Sequence, residues 1–316
     1  MQLRIRAARR QDREEILSFC QETFSWGDYI DRVWDRWFAD SSGRKGSSSR
    51  LFVAEEEKTG RKIAMSHVAL CPGGSAAWLE GVRVHPDFRR SGVATMLLER
   101  MLAFAGRRGA GQASAIVADD NLASQRMMER NGFAAVSRWV YCSSAIRDGP
   151  GSRPRRSNAR FARAGDLDRT WQYLQGSPIY EKAAGRYVKS WQWYALDRDA
   201  LRRLIAEKQV AITTAGEDGD DDSGKAIEVD GLAVINRNGY WDRRDVLQVV
   251  YLDSSSDPGD LLSFASSLCA EGRFSRMHVI CPDVWQLTAA APAGGFGEEE
   301  ESERFLLYSK VITPRR

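Results

Sequence analysis

Residues 78–105, WLEGVRVHPDFRRSGVATMLLERMLAFA, limit the fold more than any other stretch of the chain. The first part alternates as a strand, Pro86 bars a direct run into helix, and Val93, Leu97, Met101 and Ala105 then recur on one helix face. A strand, a tight turn and a helix in that order begin a layered α/β unit. Because the turn carries Arg89, Arg90, Ser91 and Gly92, two cations precede a helix N-terminus, where the macrodipole disfavours each by about 0.3–1 kcal/mol. An anion seated on the free amides of the first helical turn reverses that balance. Gly92 lets such a guest approach the main chain, and Arg89 and Arg90 add charge-assisted hydrogen bonds, so a diphosphate is the natural guest.

Around this stretch the chain reads as an ordered series of elements. LRIRAA is a short strand, Asp12 caps a helix through about Phe24, and DYIDRVWDRWF is a second helix in which Tyr29, Val33, Trp34 and Trp37 recur at helical spacing. After the polar loop ADSSGRKGSSSR come strands in RLFVAEE, RKIAMSHVAL and AAWLEGVRV; beyond the arginine turn follow a strand ASAIVA, a helix LASQRMMERNG closed by Gly132, and a strand FAAVSRWVYCSS. Residues 1–146 therefore form a mixed α/β domain, and residues 147–160, RDGPGSRPRRSNAR, have the composition of a linker. Residues 161–316 form a second domain: ARFARAGDLDRTWQYL echoes LRIRAARRQDREEILSF in register, a sign of internal duplication. Strands follow near 209–214, 227–236 and 245–252, then a helix at about 258–271, a strand RMHVIC, a helix, and a final strand RFLLYSKVI. The acidic segments GEDGDDDSG and GGFGEEEESE read as hairpin tips.

Bulk properties exclude several classes. At 316 residues and 43% apolar composition the chain supplies two cores of ordinary size. Its 46 basic and 43 acidic residues leave a net charge of +3, which argues for neither nucleic acid nor a membrane surface as partner. Cys20, Cys71, Cys142, Cys269 and Cys281 are odd in number and lack a CxxC pair, against both a disulfide framework and structural zinc. With His67, His85 and His278 the sole imidazoles, no metal site is expected. The absence of an apolar leader or a long apolar run points to the cytoplasm, and nothing specifies an oligomeric state.

Val84, Pro86 and then Arg89-Arg90-Ser91-Gly92-Val93-Ala94 match R/Q-x-x-G-x-G/A, a pattern that resembles the cofactor signature of GNAT-type N-acetyltransferases. Asn121 to Phe133, NLASQRMMERNGF, resembles that family's second cofactor motif, and the likeness runs over residues 3–144. The stretches FSWGDYIDRVWDRWF, LFVAEE, WLEGVRV and WQWY look like the two-domain, histidine N-acetyltransferase-like branch. The resemblance implies an α/β (α+β mixed-sheet) GNAT acyltransferase fold followed by a second, degenerate GNAT-like domain, with acetyl-CoA as cofactor. Carried onto this sequence, it assigns the pyrophosphate to the backbone amides of Arg90, Ser91, Gly92, Val93 and Ala94, aided by Arg89. It assigns the pantetheine arm to the main chain of Val82 and Val84, and the thiol end to Asn121 and Ser124. The family's proton-donating tyrosine falls at Met128, which cannot donate, so Ser124, an ordered water or no acid serves the departing thiolate. In the second half the equivalent turn, YLDSSSDPGDLL, has no arginine and repels phosphate, so that domain is not expected to bind CoA.

An acceptor amine is protonated near neutral pH and has to lose a proton before it attacks. Strict alternation puts Glu80 on one face with Val82 and Val84, upstream of the cofactor groove, as the candidate base; the alternative is a carboxylate balancing Arg83. His67 on the neighbouring strand reads either as a proton relay or as a satisfied structural histidine. Trp26, Asp28 and Tyr29 lie where GNAT proteins build the acceptor pocket and make an aromatic wall with one carboxylate, suited to a cationic amine; Trp34 and Trp37 read as core. The expected activity is N-acetylation of a small-molecule amine, an amino acid or related metabolite, with the second domain covering the acceptor side. Alternatives are a protein N-terminus or lysine as acceptor, or a CoA-binding sensor without turnover.

Overall fold

The computed structural model describes residues 2–21, 23, 27–42, 47–145, 157–215, 228–240, 243–270, 274–284 and 302–313. The heart of the expected linker, the first acidic segment, residues 294–301 of the second and the helix expected between RMHVIC and RFLLYSKVI lie outside the described residues. Two compact units result: Met1–Val117 with Asn121–Ala135 and Leu307–Arg316, and Ala118–Asp120 with Val136–Leu306.

In chain order the first unit runs β1 (Leu3–Ala7), α1 (Arg13–Cys20), α2 (Ile30–Ser42), β2 (Ser49–Glu56), β3 (Lys62–Leu70), β4 (Ala76–Val84), α3 (Val93–Arg107), β5 (Gln112–Ala118) and α4 (Leu122–Arg130). Its strands lie in the order β1-β2-β3-β4-β5, antiparallel except for β4 beside β5, which α3 connects as a parallel crossover. Helix α1 stops at Cys20, short of the expected Phe24, because Thr23 turns its hydroxyl and its amide back onto the Cys20 carbonyl. Helix α2 buries Ile30, Val33, Trp34 and Trp37, and α3 buries Val93, Leu97, Met101 and Ala105, the faces that their spacing marks.

The second unit comprises β6 (Ala134–Ala145), β7 (Arg160–Phe161), α5 (Leu167–Gly176), α6 (Pro178–Lys182), β8 (Arg186–Lys189), β9 (Gln192–Ala195), α7 (Arg198–Ala206), β10 (Val210–Ala215), β11 (Glu228–Asn236), β12 (Val246–Ser254), α8 (Gly259–Ala270) and β13 (Arg276–Pro282). Its order is β6-β13-β12-β11-β10-β7, with β12 and β13 parallel across α8 as β4 and β5 are across α3. Helices α6 and α7 and the separate β8–β9 hairpin, in which WQWY supplies the turn and the second strand, are not among the elements expected from the sequence. The final strand, β14 (Ser302–Val311), ends in the first unit, where Ser309 bonds Gln112 at 2.9 Å and Ser114 at 3.1 Å across the β5 edge.

The duplication is visible in side-chain geometry. The pattern R-x-A-R-x-x-D occurs at Arg6–Asp12 and again at Arg160–Asp166. In each copy the first arginine reaches the aspartate at 2.7 Å, and the aspartate accepts the backbone N–H of the second arginine, Arg9 or Arg163, at 2.6 Å. Burial alone would raise these carboxyls, but the arginine and amide donors win and hold both Asp12 and Asp166 below the usual aspartate range. Since the folded value lies below the unfolded one, the stabilisation is present above about pH 4 and is lost as pH falls through the folded value. An Asp166→Asn variant is therefore less stable than the parent at pH 7, and thermal melts taken at decreasing pH show the gap closing below about pH 4.

Candidate active site

Strand β4 carries the site, and a β-bulge shapes it. Met65 pairs with Arg83 and His67 with Glu80, so Ser66 alone opposes Gly81 and Val82. Gly81 sits at φ +67°, and a Cβ there would lie 2.7 Å from the Trp37 ring. Because Met65 and His67 share a face, so do Glu80 and Arg83; Val84, opposite Ala64, points the other way. The alternation that grouped Glu80 with Val82 and Val84 thus ends at the bulge, which turns Glu80 and Arg83 together toward α2.

On its other edge β4 pairs with β5 only over Ala76–Trp78 against Gln112–Ser114, although the strands run on to Val84 and Ala118. The two backbones part beyond that point. The main chain of Leu79–Val84, with Val82 and Val84 in it, faces this opening without a ladder to β5, the form of edge to which an extended amide-bearing arm can bond.

The opening leads to the N-terminus of α3. Arg90 (φ +62°) and Gly92 (φ +85°) both adopt left-handed conformations, and among the described residues no acceptor takes the amides of Arg90, Ser91, Gly92, Val93 or Ala94. A Cβ built on Gly92 meets nothing within 4 Å. Arg89 reaches only the Val84 carbonyl, at 3.5 Å, and neither Arg89 nor Arg90 pairs with a carboxylate among the described residues. The corresponding end of α8 is closed by the protein's own anion, since Asp257 accepts the Gly259 N–H at 2.9 Å. One unit leaves an anion cradle open and the other fills it. The open cradle suits the diphosphate of a coenzyme A group. Gly92→Ala should therefore weaken CoA binding by about tenfold or more, read by calorimetry. The protein itself should lose only about 1–2 kcal/mol, for the left-handed alanine.

Half-buried Glu80 and buried His67 form the centre of the site. Glu80 Oε1 lies 2.9 Å from His67 Nδ1, with side-chain exposures of 13% and 3%. Trp37 stacks on the imidazole at 4.4 Å between centroids and 9° between planes. Beside them Arg83 grips Asp28 with both arms, Nε to Oδ2 at 2.7 Å and Nη2 to Oδ1 at 3.0 Å, and its guanidinium lies 5.2 Å from the Tyr29 ring centroid. Asp28 Oδ1 also accepts the N–H of Tyr29 and Ile30, starting α2, so this carboxylate is engaged within the protein rather than presented to a cationic guest. Burial pushes the Tyr29 hydroxyl up to about 12 and the Cys20 thiol up to about 12. Trp26 lies outside the described residues.

Asn121 caps α4 by accepting the Ser124 N–H at 3.1 Å, and both residues stand at the end of β5. Met128 is buried in α4 at 3% exposure. His85 accepts the Asp87 N–H at 3.2 Å and so shapes the turn before α3. From the sequence His67 reads as a proton relay or a structural residue and Arg83 as a counter-charge; the signal for both is their position opposite or beside Glu80, which becomes legible only once the bulged register is known. Among the described residues no group of three or more His, Cys, Asp or Glu side chains could hold a metal ion, and no helix is long and apolar enough to cross a membrane.

In the second unit the eighth residue of β12 is Asp253, where β4 has Arg83, and the cap before α6 is Ser177, where α2 has Asp28. Asp253 is fully buried and accepts from Tyr173 at 2.9 Å, Ser177 at 2.7 Å and Tyr251 at 2.7 Å. The polarity of the pair is inverted, and burial raises this carboxyl despite its three donors.

Residues 12–133 match the acetyltransferase (GNAT) family model. A 70-residue segment is 42% identical to an aminoglycoside N(6′)-acetyltransferase type 1 from Acinetobacter genomosp. 13, covering 22% of this chain and 48% of that enzyme, so the likeness spans about half of its length. Over the whole chain the fold is similar to a GCN5-related N-acetyltransferase from Sphaerobacter thermophilus, at 15% identity and a TM-score of 0.60 over 99% of this chain and 97% of the other. It is also similar to a tandem GNAT protein from the clavulanic acid biosynthesis pathway, at 12% identity and a TM-score of 0.50 over 100% of both chains. The open α3 cradle, the parted β4 and β5 and the match to the acetyltransferase (GNAT) family model, a family that uses acetyl-CoA, coincide in one unit, over residues 12–133.

Proposed function

We propose that the first unit transfers the acetyl group of acetyl-CoA to the amine of a small molecule, an amino acid or related metabolite, by direct attack of the amine on the thioester. The observation that carries this reading is the uncapped start of α3 at one end of an opening whose wall, β4, holds the half-buried carboxylate Glu80. Bound acetyl-CoA supplies a thioester carbonyl open to a neutral amine. In the chain, the amides of Arg90 to Ala94 with Arg89 and Arg90 hold the diphosphate, the unladdered edge at Val82 and Val84 orients the arm, and Asn121 with Ser124 borders its thiol end. Glu80 accepts the proton of the incoming ammonium. Methionine at 128 donates none, so the thiolate departs on its own stability. The identity to part of an aminoglycoside acetyltransferase supports a small amine over a protein acceptor. Five free thiols support a reducing, cytoplasmic setting.

Thiol release from acetyl-CoA, measured against free amino acids, polyamines, aminoglycosides and peptides, tests the reading. Release with at least one small amine is expected. CoA binding with no release from any of them overturns the enzyme, and release with peptides alone overturns the small acceptor.

A further inference from the structure

We infer that His67 is a positioning residue for Glu80: its Nδ1–H holds the carboxylate in one orientation, while Trp37 clamps the imidazole. The inference rests on Glu80 being the base.

The argument begins with tautomers. The two side chains are direct cross-strand partners and meet through His67 Nδ1 and Glu80 Oε1 at 2.9 Å. An ionised carboxylate cannot donate, so this contact is favourable only with the hydrogen on Nδ1. His67 Nε2 is then a bare acceptor, and it is buried with no hydrogen-bond partner among the described residues. The opposite tautomer would set a lone pair against the carboxylate and leave an N–H donor stranded in the core, the costlier arrangement.

Orientation is fixed by packing. The Trp37 ring covers one imidazole face at 4.4 Å and is itself 3% exposed. It fits there because residue 81 has no Cβ, whose nearest neighbour would be Trp37 at 2.7 Å. Glycine at the bulge, the indole, the imidazole and the carboxylate form a stack whose more exposed end is Glu80, at 13% against 3% for His67. A base held in this way presents its carboxylate without first losing rotamer freedom, the kind of preorganisation for which a displacement of about 1 Å costs about 100-fold in rate.

The chain has three histidines, so the imidazole signals of 15N-histidine-labelled protein can be assigned from a His67→Asn variant. In the full-length protein His67 is expected as the Nδ1–H tautomer, shifting toward Nε2–H in Glu80→Ala. In thiol-release assays against the amine panel, His67→Ala is expected to lose about 100-fold in kcat with the KM for acetyl-CoA unchanged. His67→Asn, which keeps a donor near the Nδ1 position, should recover most of that loss. An Nε2–H tautomer in the parent, or one indifferent to Glu80→Ala, overturns the inference whether or not His67→Ala folds. A parental rate in His67→Ala beside an inactive Glu80→Gln overturns it alone, whereas a parental rate in Glu80→Gln overturns the base assignment and the inference with it.

Discussion

Glu80→Gln lowers kcat/KM for the acceptor amine by about 100- to 10,000-fold, the range that a positioned general base supplies. The amide is nearly isosteric and can still meet His67, so thermal stability and CoA affinity stay close to those of the parent. The deficit shrinks as pH rises toward the acceptor's own pKa, where solvent has already removed the proton. Stopped-flow thiol release over a pH series measures both effects. A uniform loss at every pH would assign Glu80 to binding rather than proton transfer.

Asp28→Ala costs about 3–5 kcal/mol, because it removes the carboxylate that binds the Arg83 guanidinium through two nitrogens at a site where the arginine is 11% exposed and the aspartate 4%. The same change uncovers the amides of Tyr29 and Ile30 at the start of α2. The melting temperature should fall by on the order of 10 °C. Removing both charges together, in Asp28→Asn with Arg83→Met, should be milder than removing the aspartate alone, since the guanidinium is then not buried without this carboxylate. If instead Asp28→Ala melts with the parent, the ion pair is not what joins α2 to β4.

These two residues show what the sequence could and could not disclose. The strand, arginine turn and helix were legible because each rests on local rules: period two, proline, glycine, then a helical stripe. Glu80 stood out for the same reason, as a carboxylate in a strand aimed at that turn. Its setting was not legible. Strict alternation groups Glu80 with Val84, and only the pairing of Met65 with Arg83 and His67 with Glu80 reveals the extra residue that changes its face. The Asp28–Arg83 pair closes over 55 positions, and a lone aspartate before a helix reads equally well as a cap or as a ligand. In the second unit, α6, α7 and the β8–β9 hairpin are short elements of four to nine residues whose patterns are too brief to distinguish from loop.

The strand that ends the first unit has a bearing on how the chain acquires its shape. Gln112 and Ser309 are bonded across 197 positions, so the β5 edge of the first unit waits for a partner until the intervening residues have been made. At about 5–20 residues per second, the ribosome needs roughly 10–40 s to supply it. Over that interval β5 is an unpaired edge on a nascent protein, the kind of surface on which aggregation begins and which chaperones cover. Folding of the first unit is thus timed by the synthesis of the second.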